Sequence, residues 1–215
     1  MIGLIRVLTT NDEQVLNEHG RLISKMYAVP VRNECIPDQP LGIYNNETEQ
    51  LANPKIVALG RKLEQEGSQA LIVSCAADPA VEQLRGQVSV PVIGAGSAAS
   101  YMARALGKRV GVMGITETLP DIMKAILGEA FVRYIQPEGV SNTTDLLTPA
   151  GRERAIAAAR TLMEQGTEVI VFACTGFSTI GLASVLRKEL RIPVIDAVEA
   201  EGLFASAVYK QLGGV

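Results

Sequence analysis

The chain has 215 residues, long enough for one large domain or two compact lobes, and its 47% hydrophobic content is ample for a buried core. A formal net charge of -3 gives no electrostatic reason to bind nucleic acid or an anionic membrane, and no apolar run is long enough to span a bilayer. Three cysteines, an odd number, make no disulfide framework, and the single histidine has no partner at ligand spacing, which argues against a metal site.

In chain order, the pattern predicts a strand over residues 2–8, helices over 11–27 and 48–65, a strand over 71–74 and a helix over 79–86. A strand over 90–93, a helix over 97–106, a strand over 110–115 and helices over 119–127 and 149–165 follow. The chain closes with a strand over 169–173, a helix over 179–189, a strand over 192–195 and a helix over 198–212. Short apolar strands alternating with helices make this an α/β protein with mainly parallel sheets and right-handed crossovers. The N-terminus enters its first strand without a leader pattern, so a cytoplasmic protein with reduced thiols and a small-molecule partner is expected.

Two segments rhyme. G-S-Q-A-L-I-V-S-C ends at Cys75 and G-T-E-V-I-V-F-A-C ends at Cys174; in each, a glycine suited to ending a helix stands eight residues before the cysteine. Each unit closes on a second apolar strand, V-P-V-I-G at 90–94 and I-P-V-I-D at 192–196. The openings I-G-L-I-R-V-L at 2–8 and V-G-V-M-G-I-T at 110–116 echo one another as well. The expected architecture is two similar lobes, each a mainly parallel sheet flanked by helices, related by a pseudo-two-fold axis with the active site between them. Residues 1–97 plus 198–215 form the first lobe and 98–197 the second. Ligands of open parallel sheets bind at the carboxyl ends of strands, where both cysteines fall.

A cysteine at a strand end is usually a small buried hydrophobe, but the matched placement of Cys75 and Cys174 in a duplicated unit favours chemistry. Cys35 has no counterpart and reads as structural. Asp78-Pro79 reads as the cap and first residue of a helix, which sets the amides of Ala76 and Ala77 beside Cys75; Thr175 and Gly176 enter the corresponding position after Cys174. Those amides could hold a carboxylate or a developing negative charge. The loops after the two opening strands offer Thr10 and Asn11, and Thr116 and Thr118, as further substrate contacts. The polar loop at 139–145 is a candidate cover for the cleft. His19 reads as a solvated or capping residue, and Gly94 and Gly96 lack the third glycine and the acidic residue of a dinucleotide site.

C-A-A-D-P with V-P-V-I-G downstream, and A-C-T-G-F with I-P-V-I-D downstream, resemble the aspartate/glutamate/hydantoin racemase superfamily, in its hydantoin racemase-like branch. The likeness runs over essentially the whole chain. It implies a cofactor-independent racemase, assembly into homo-oligomers, and catalytic roles for Cys75 and Cys174 as an acid and base pair on opposite faces of one α-carbon. Two departures stand out. L-T-T-N-D at 8–12 replaces the N-P-N-T type stretch of many hydantoin racemases, and Ala76-Ala77 replace the Asn-Thr that often follows the first cysteine of amino-acid racemases, which favours a hydantoin over free aspartate or glutamate. Racemisation of an amino acid, cis-trans isomerisation through a covalent cysteine adduct, a redox pair and non-catalytic ligand binding are the alternatives.

Overall fold

The computed structural model describes residues 1–213; Gly214 and Val215, the end of the expected first lobe, lie outside the described residues. Two parallel four-stranded sheets carry the chain. The first contains β1 (Ile2–Arg6), β2 (Val31–Cys35), β3 (Ala70–Ser74) and β4 (Val92–Gly94) in the order β2-β1-β3-β4; the second contains β5 (Val110–Met113), β6 (Phe131–Ile135), β7 (Val169–Phe172) and β8 (Val194–Ile195) in the order β6-β5-β7-β8. The central strands β1, β3, β5 and β7 are buried along their whole length, which is why their sequences are continuous apolar runs rather than alternating ones.

The helices are α1 (Glu13–Tyr27), α2 (Asn46–Gln65), α3 (Val81–Arg85), α4 (Ala95–Arg104), α5 (Asp121–Leu127), α6 (Pro149–Glu164), α7 (Gly176–Thr179), α8 (Leu182–Leu190) and α9 (Ala197–Gln211). Local chemistry sets their starts. Asp12 accepts from the amides of Gln14 and Val15 at the head of α1, Asn45 and Thr48 form a reciprocal capping box on α2, and Thr148 accepts from Gly151 ahead of α6, where Pro149 fills the first turn. Gly67 and Gly166, at φ 94° and 85°, follow α2 and α6 in the left-handed region and turn the chain into β3 and β7.

On the first sheet, Ile5, Leu71 and Val73 pack with α2 and α3, while Leu4 and Ile72 pack with Ile23 of α1 and Val198 and Ala205 of α9. On the second, Ile170 and Phe172 pack with Ala155, Ala159 and Leu186 of α6 and α8, whereas Val112 and Val171 pack with Ala98, Ala99 and Ala103 of α4. The helix that follows each closing strand therefore crosses to the other sheet: α4, after β4, covers the second, and α9, after β8, covers the first. No helix among the described residues is long and apolar enough to cross a membrane.

Three expectations need correction. Strands β2 and β6 were not foreseen; both are edge strands of mixed character, V-R-N-E-C and F-V-R-Y-I, and neither is fully buried. The single helix expected over 179–189 is two, because Gly181 takes a left-handed conformation at φ 63° between α7 and α8. Asp78 does not cap its own helix. It stands at φ 52°, and its carboxylate accepts from the amides of Gly96 and Ser97 at 2.6 and 2.9 Å, so it caps α4, whose own preceding residue, Gly94, has no side chain.

Candidate active site

The ends of β3 and β7 deliver Cys75 and Cys174 into one cleft of about 980 Å³. Of the other expected contacts, Thr10, Ala76, Ala77, Thr116, Thr118, Thr175 and Gly176 line it as well. Asn11 does not; it is exposed, just ahead of the Asp12 cap. From the loop at 139–145, Ser141, Thr143 and Thr144 line the cleft, and the Thr143 hydroxyl donates to the Leu41 carbonyl at 3.4 Å, so this loop meets the first half across the mouth.

Each cysteine loop is held from below. Phe177 packs on Phe172 at a ring-centroid distance of 5.0 Å, an aromatic contact worth ~1 kcal/mol beyond its burial, and so pins the turn after Cys174 to β7. In the first half, α4 runs so close to the Cys75 loop that a Cβ on Gly96 would lie 2.0 Å from the Ala76 carbonyl oxygen. The two loops also touch: the Thr175 hydroxyl donates to the Ser74 carbonyl at 3.3 Å.

Cys174 is 6% exposed and Cys75 is half-buried; both are free thiols. Burial pushes the Cys174 thiol up to about 12, opposed by the amides of Gly176 and Phe177 and by the charge of Arg6; the Gly176 amide lies 3.3 Å from its sulfur. Burial also raises Cys75, with the Ala77 amide opposing and the charges of Cys174, Asp78 and Glu49 adding to the rise.

Beneath the cleft lies a polar cluster that the sequence does not announce. His19 is 1% exposed rather than solvated. Its Nδ1 is 2.8 Å from the Ser74 hydroxyl and its Nε2 is 3.1 Å from the Thr179 hydroxyl, and Ser74 in turn donates to Glu201 Oε1 at 2.6 Å. Burial and the charge of Arg6 hold His19 well below its ordinary range, and burial holds Glu201 well above the carboxylate range. Both are thereby driven towards their neutral forms. Arg6 is 3% exposed, and its Nη1 donates to the carbonyls of Val15 and Leu16 at 2.6 and 3.3 Å. A lone arginine inside the apolar run I-G-L-I-R-V-L was the available signal for this cluster; nothing local marks His19 or Glu201, whose partners are far away in the chain.

The arrangement gives a cleft with one thiol from each half, amides directed at the Cys174 sulfur, and hydroxyl groups at the rim. A family model described as Asp/Glu/Hydantoin racemase matches residues 26–201. The chain is 30% identical to a hydantoin racemase of Pseudomonas sp. (strain NS671) over 79% of its own length and 70% of that protein, and 30% identical to a hydantoin racemase of Rhizobium meliloti over 80% and 73%. Its fold superposes on an allantoin racemase from Klebsiella pneumoniae with a TM-score of 0.84 at 22% identity, covering 100% of this chain and 89% of that one.

Proposed function

The chain belongs to the Asp/Glu/Hydantoin racemase family and is an isomerase of the racemase type; from that premise we propose that it inverts the α-carbon of a hydantoin or closely related neutral ring, using Cys75 and Cys174 as base and acid without a cofactor. The observation that carries this reading is the convergence of the two cysteines, from equivalent strand ends of two sheets, on one cleft. One thiolate removes the proton on the carbon next to a carbonyl, leaving a planar enolate; the opposed thiol donates a proton to the other face, and the two sulfurs exchange protonation states. A single fixed base would return the proton to the face it came from. The amides of Ala76, Ala77 and Gly176 supply donors for the charge that develops on the substrate oxygen.

Charge supports a neutral substrate. Among the described residues lining the cleft, the cationic side chain is Arg6, already bonded to two backbone carbonyls, whereas Asp12, Glu47, Glu49 and Glu117 bring four carboxylates. A free amino acid would have to place its carboxylate in a field where four carboxylates face one buried cation. A hydantoin ring carries no charge and offers amide-like groups to the threonine hydroxyls. The lobe division at 1–97 plus 198–215 and 98–197 is kept in this reading, because it assigns α9 to the sheet it covers and most of α4 to the other. The mechanism also needs free thiols, in keeping with a reducing, cytoplasmic setting.

The test is α-hydrogen exchange in deuterated water, followed by proton NMR, on 5-substituted hydantoins, allantoin, aspartate and glutamate. Exchange with inversion of a hydantoin or allantoin is expected. Exchange confined to aspartate or glutamate would overturn the substrate class, and a trapped cysteine adduct would point to cis-trans isomerisation instead.

A further inference from the structure

Strand register assigns the two thiols different surroundings. In β1 and β3, Ile5 and Val73 pack on the α2 face and Leu4 and Ile72 on the face covered by α1 and α9. Arg6 and Ser74, the next register pair, continue the second face, and the bonds of Arg6 to α1 and of Ser74 to Glu201 on α9 agree with this. On that face α1 also meets the segment after Cys174, with His19 Nε2 3.1 Å from the Thr179 hydroxyl. Cys75, one residue on, packs with the α2 side. The buried cation of the cleft floor is thus turned towards the Cys174 loop and away from the Cys75 side chain.

Resting on the reading of the two cysteines as an acid and base pair, we propose that Cys174 is the first of them to ionise in the unliganded protein, leaving Cys75 as the thiol, and that Arg6 decides this order by acting through Cys174. The groups around each sulfur point the same way. Cys174 faces Arg6 from β1 and the amides of Gly176 and Phe177, while the nearby Tyr134 phenol from β6 donates its proton to the Thr116 carbonyl. Cys75 faces one amide, that of Ala77, and two carboxylates, Asp78 and Glu49. Arg6 is itself surrounded by Glu201, Glu18 and Cys35, but it makes no ion pair with any of them, so its charge is not consumed by contact with a carboxylate. Its Nε and Nη2 hydrogens have no partner among the described residues. The consequence is directional: the unliganded enzyme is poised to take a proton from the substrate face that meets Cys174, and the opposite enantiomer needs the other protonation state.

The experiment follows thiolate absorbance at 240 nm from pH 7 to 12 in Cys35→Ser/Cys75→Ser and Cys35→Ser/Cys174→Ser proteins, each corrected with the protein lacking all three cysteines. Thiolate is expected at lower pH in the protein that keeps Cys174. Arg6→Met should move that onset up by about one pH unit or more, as loss of a nearby opposite charge does, while Arg6→Lys should restore it to within about half a unit. Asp78→Asn should bring the Cys75 onset down and leave Cys174 alone. Equal onsets, an earlier onset at Cys75, or an Arg6→Met shift that Arg6→Lys fails to restore would overturn the inference. The titration uses no substrate, so this order of ionisation and the racemase reading can fail independently: loss of exchange activity towards every substrate leaves the order intact, and a reversed order leaves inversion intact.

Discussion

The two halves meet the same electrostatic need with the same two segments but exchange the parts. After each closing strand a helix begins, and its first amides need an acceptor. In the second half the acceptor is Asp196, at the end of β8, which takes the amides of Val198 and Glu199 at 2.9 and 3.2 Å, and the cysteine loop adds Ser178, whose hydroxyl donates to Asp196. In the first half the strand ends in Gly94, and the cysteine loop supplies the carboxylate, Asp78. A Cβ on Gly94 would sit 2.3 Å from the Asp78 carboxyl carbon, so the side chain of one segment occupies the place left by the other. A duplicated unit can thus conserve a function while moving its charge from one loop to another. The cost falls on the chemistry: Asp78 stands three residues from Cys75, whereas the Cys174 loop carries only hydroxyls.

The comparison breaks most visibly at the cysteines themselves. Cys75→Ala and Cys174→Ala should each lower inversion by at least about 100-fold, since general acid and base groups contribute on that scale. Polarimetry on a hydantoin checks this, and retained inversion in either variant would mean that the halves are not partners in the chemistry. Exchange without inversion, for one enantiomer per variant, would instead sharpen the pairing by showing which face each thiol serves.

Gly96→Ala comes next. The added methyl collides with the Ala76 carbonyl, a backbone atom, so α4 or the Cys75 loop must shift, at about 2–3 kcal/mol. Urea unfolding should show the loss, and activity should fall further than stability because the shift displaces a thiol. Unchanged stability would show that the first half is looser than its packing implies.

The capping carboxylates differ in pH response. Burial raises Asp196 to about 6 from its ordinary 3.8, despite the bonds it accepts. Between those values the folded protein keeps a proton that the unfolded chain has released, so stability falls as pH rises through the window from about 4 to 6, by on the order of 2 kcal/mol. Asp196→Asn, which keeps the cap, should make this slope shallower in urea titrations at pH 4, 5, 6 and 7, with Glu201 supplying the remainder. A slope that persists undiminished would place the titration elsewhere, with Glu201, held well above the carboxylate range by burial, the next group to replace and Asp78 after it.

The smallest effect tests the exchange directly. Asp78→Ser should cost about 1–2 kcal/mol as a lost cap, or roughly 2–8 °C in Tm for a chain of this size, and adding Gly94→Asp should recover part of it by rebuilding the arrangement of the second half. A double variant no more stable than Asp78→Ser would show that the two solutions are not interchangeable.

Much of this fold is legible in the sequence, for a physical reason. Strands β1, β3, β5 and β7 are buried on both faces, so apart from Arg6 and Ser74 at the ends of β1 and β3 their sequences are apolar runs, and the glycine and cysteine that bracket β3 and β7 repeat at fixed spacing. The edge strands β2 and β6 lack that constraint and read as loops. Asp78 looked like an ordinary cap because its true partners, Gly96 and Ser97, lie beyond an intervening strand. His19 stands among polar neighbours on its helix and Glu201 between Ala200 and Gly202 on another, and only tertiary packing reveals that both face inward. Local propensity carries no record of such distant pairings.

The hydrogen bond from Thr175 to the Ser74 carbonyl has a mechanical meaning. It ties the halves at the floor of the cleft, one residue from each cysteine, so a parting of the sheets that kept this bond would turn about it as a door turns on its hinge. The rim, where Thr143 reaches Leu41, would then travel furthest, and the gap between the thiols least. Substrate could come and go through a widening mouth while the spacing that the proton must cross stays fixed.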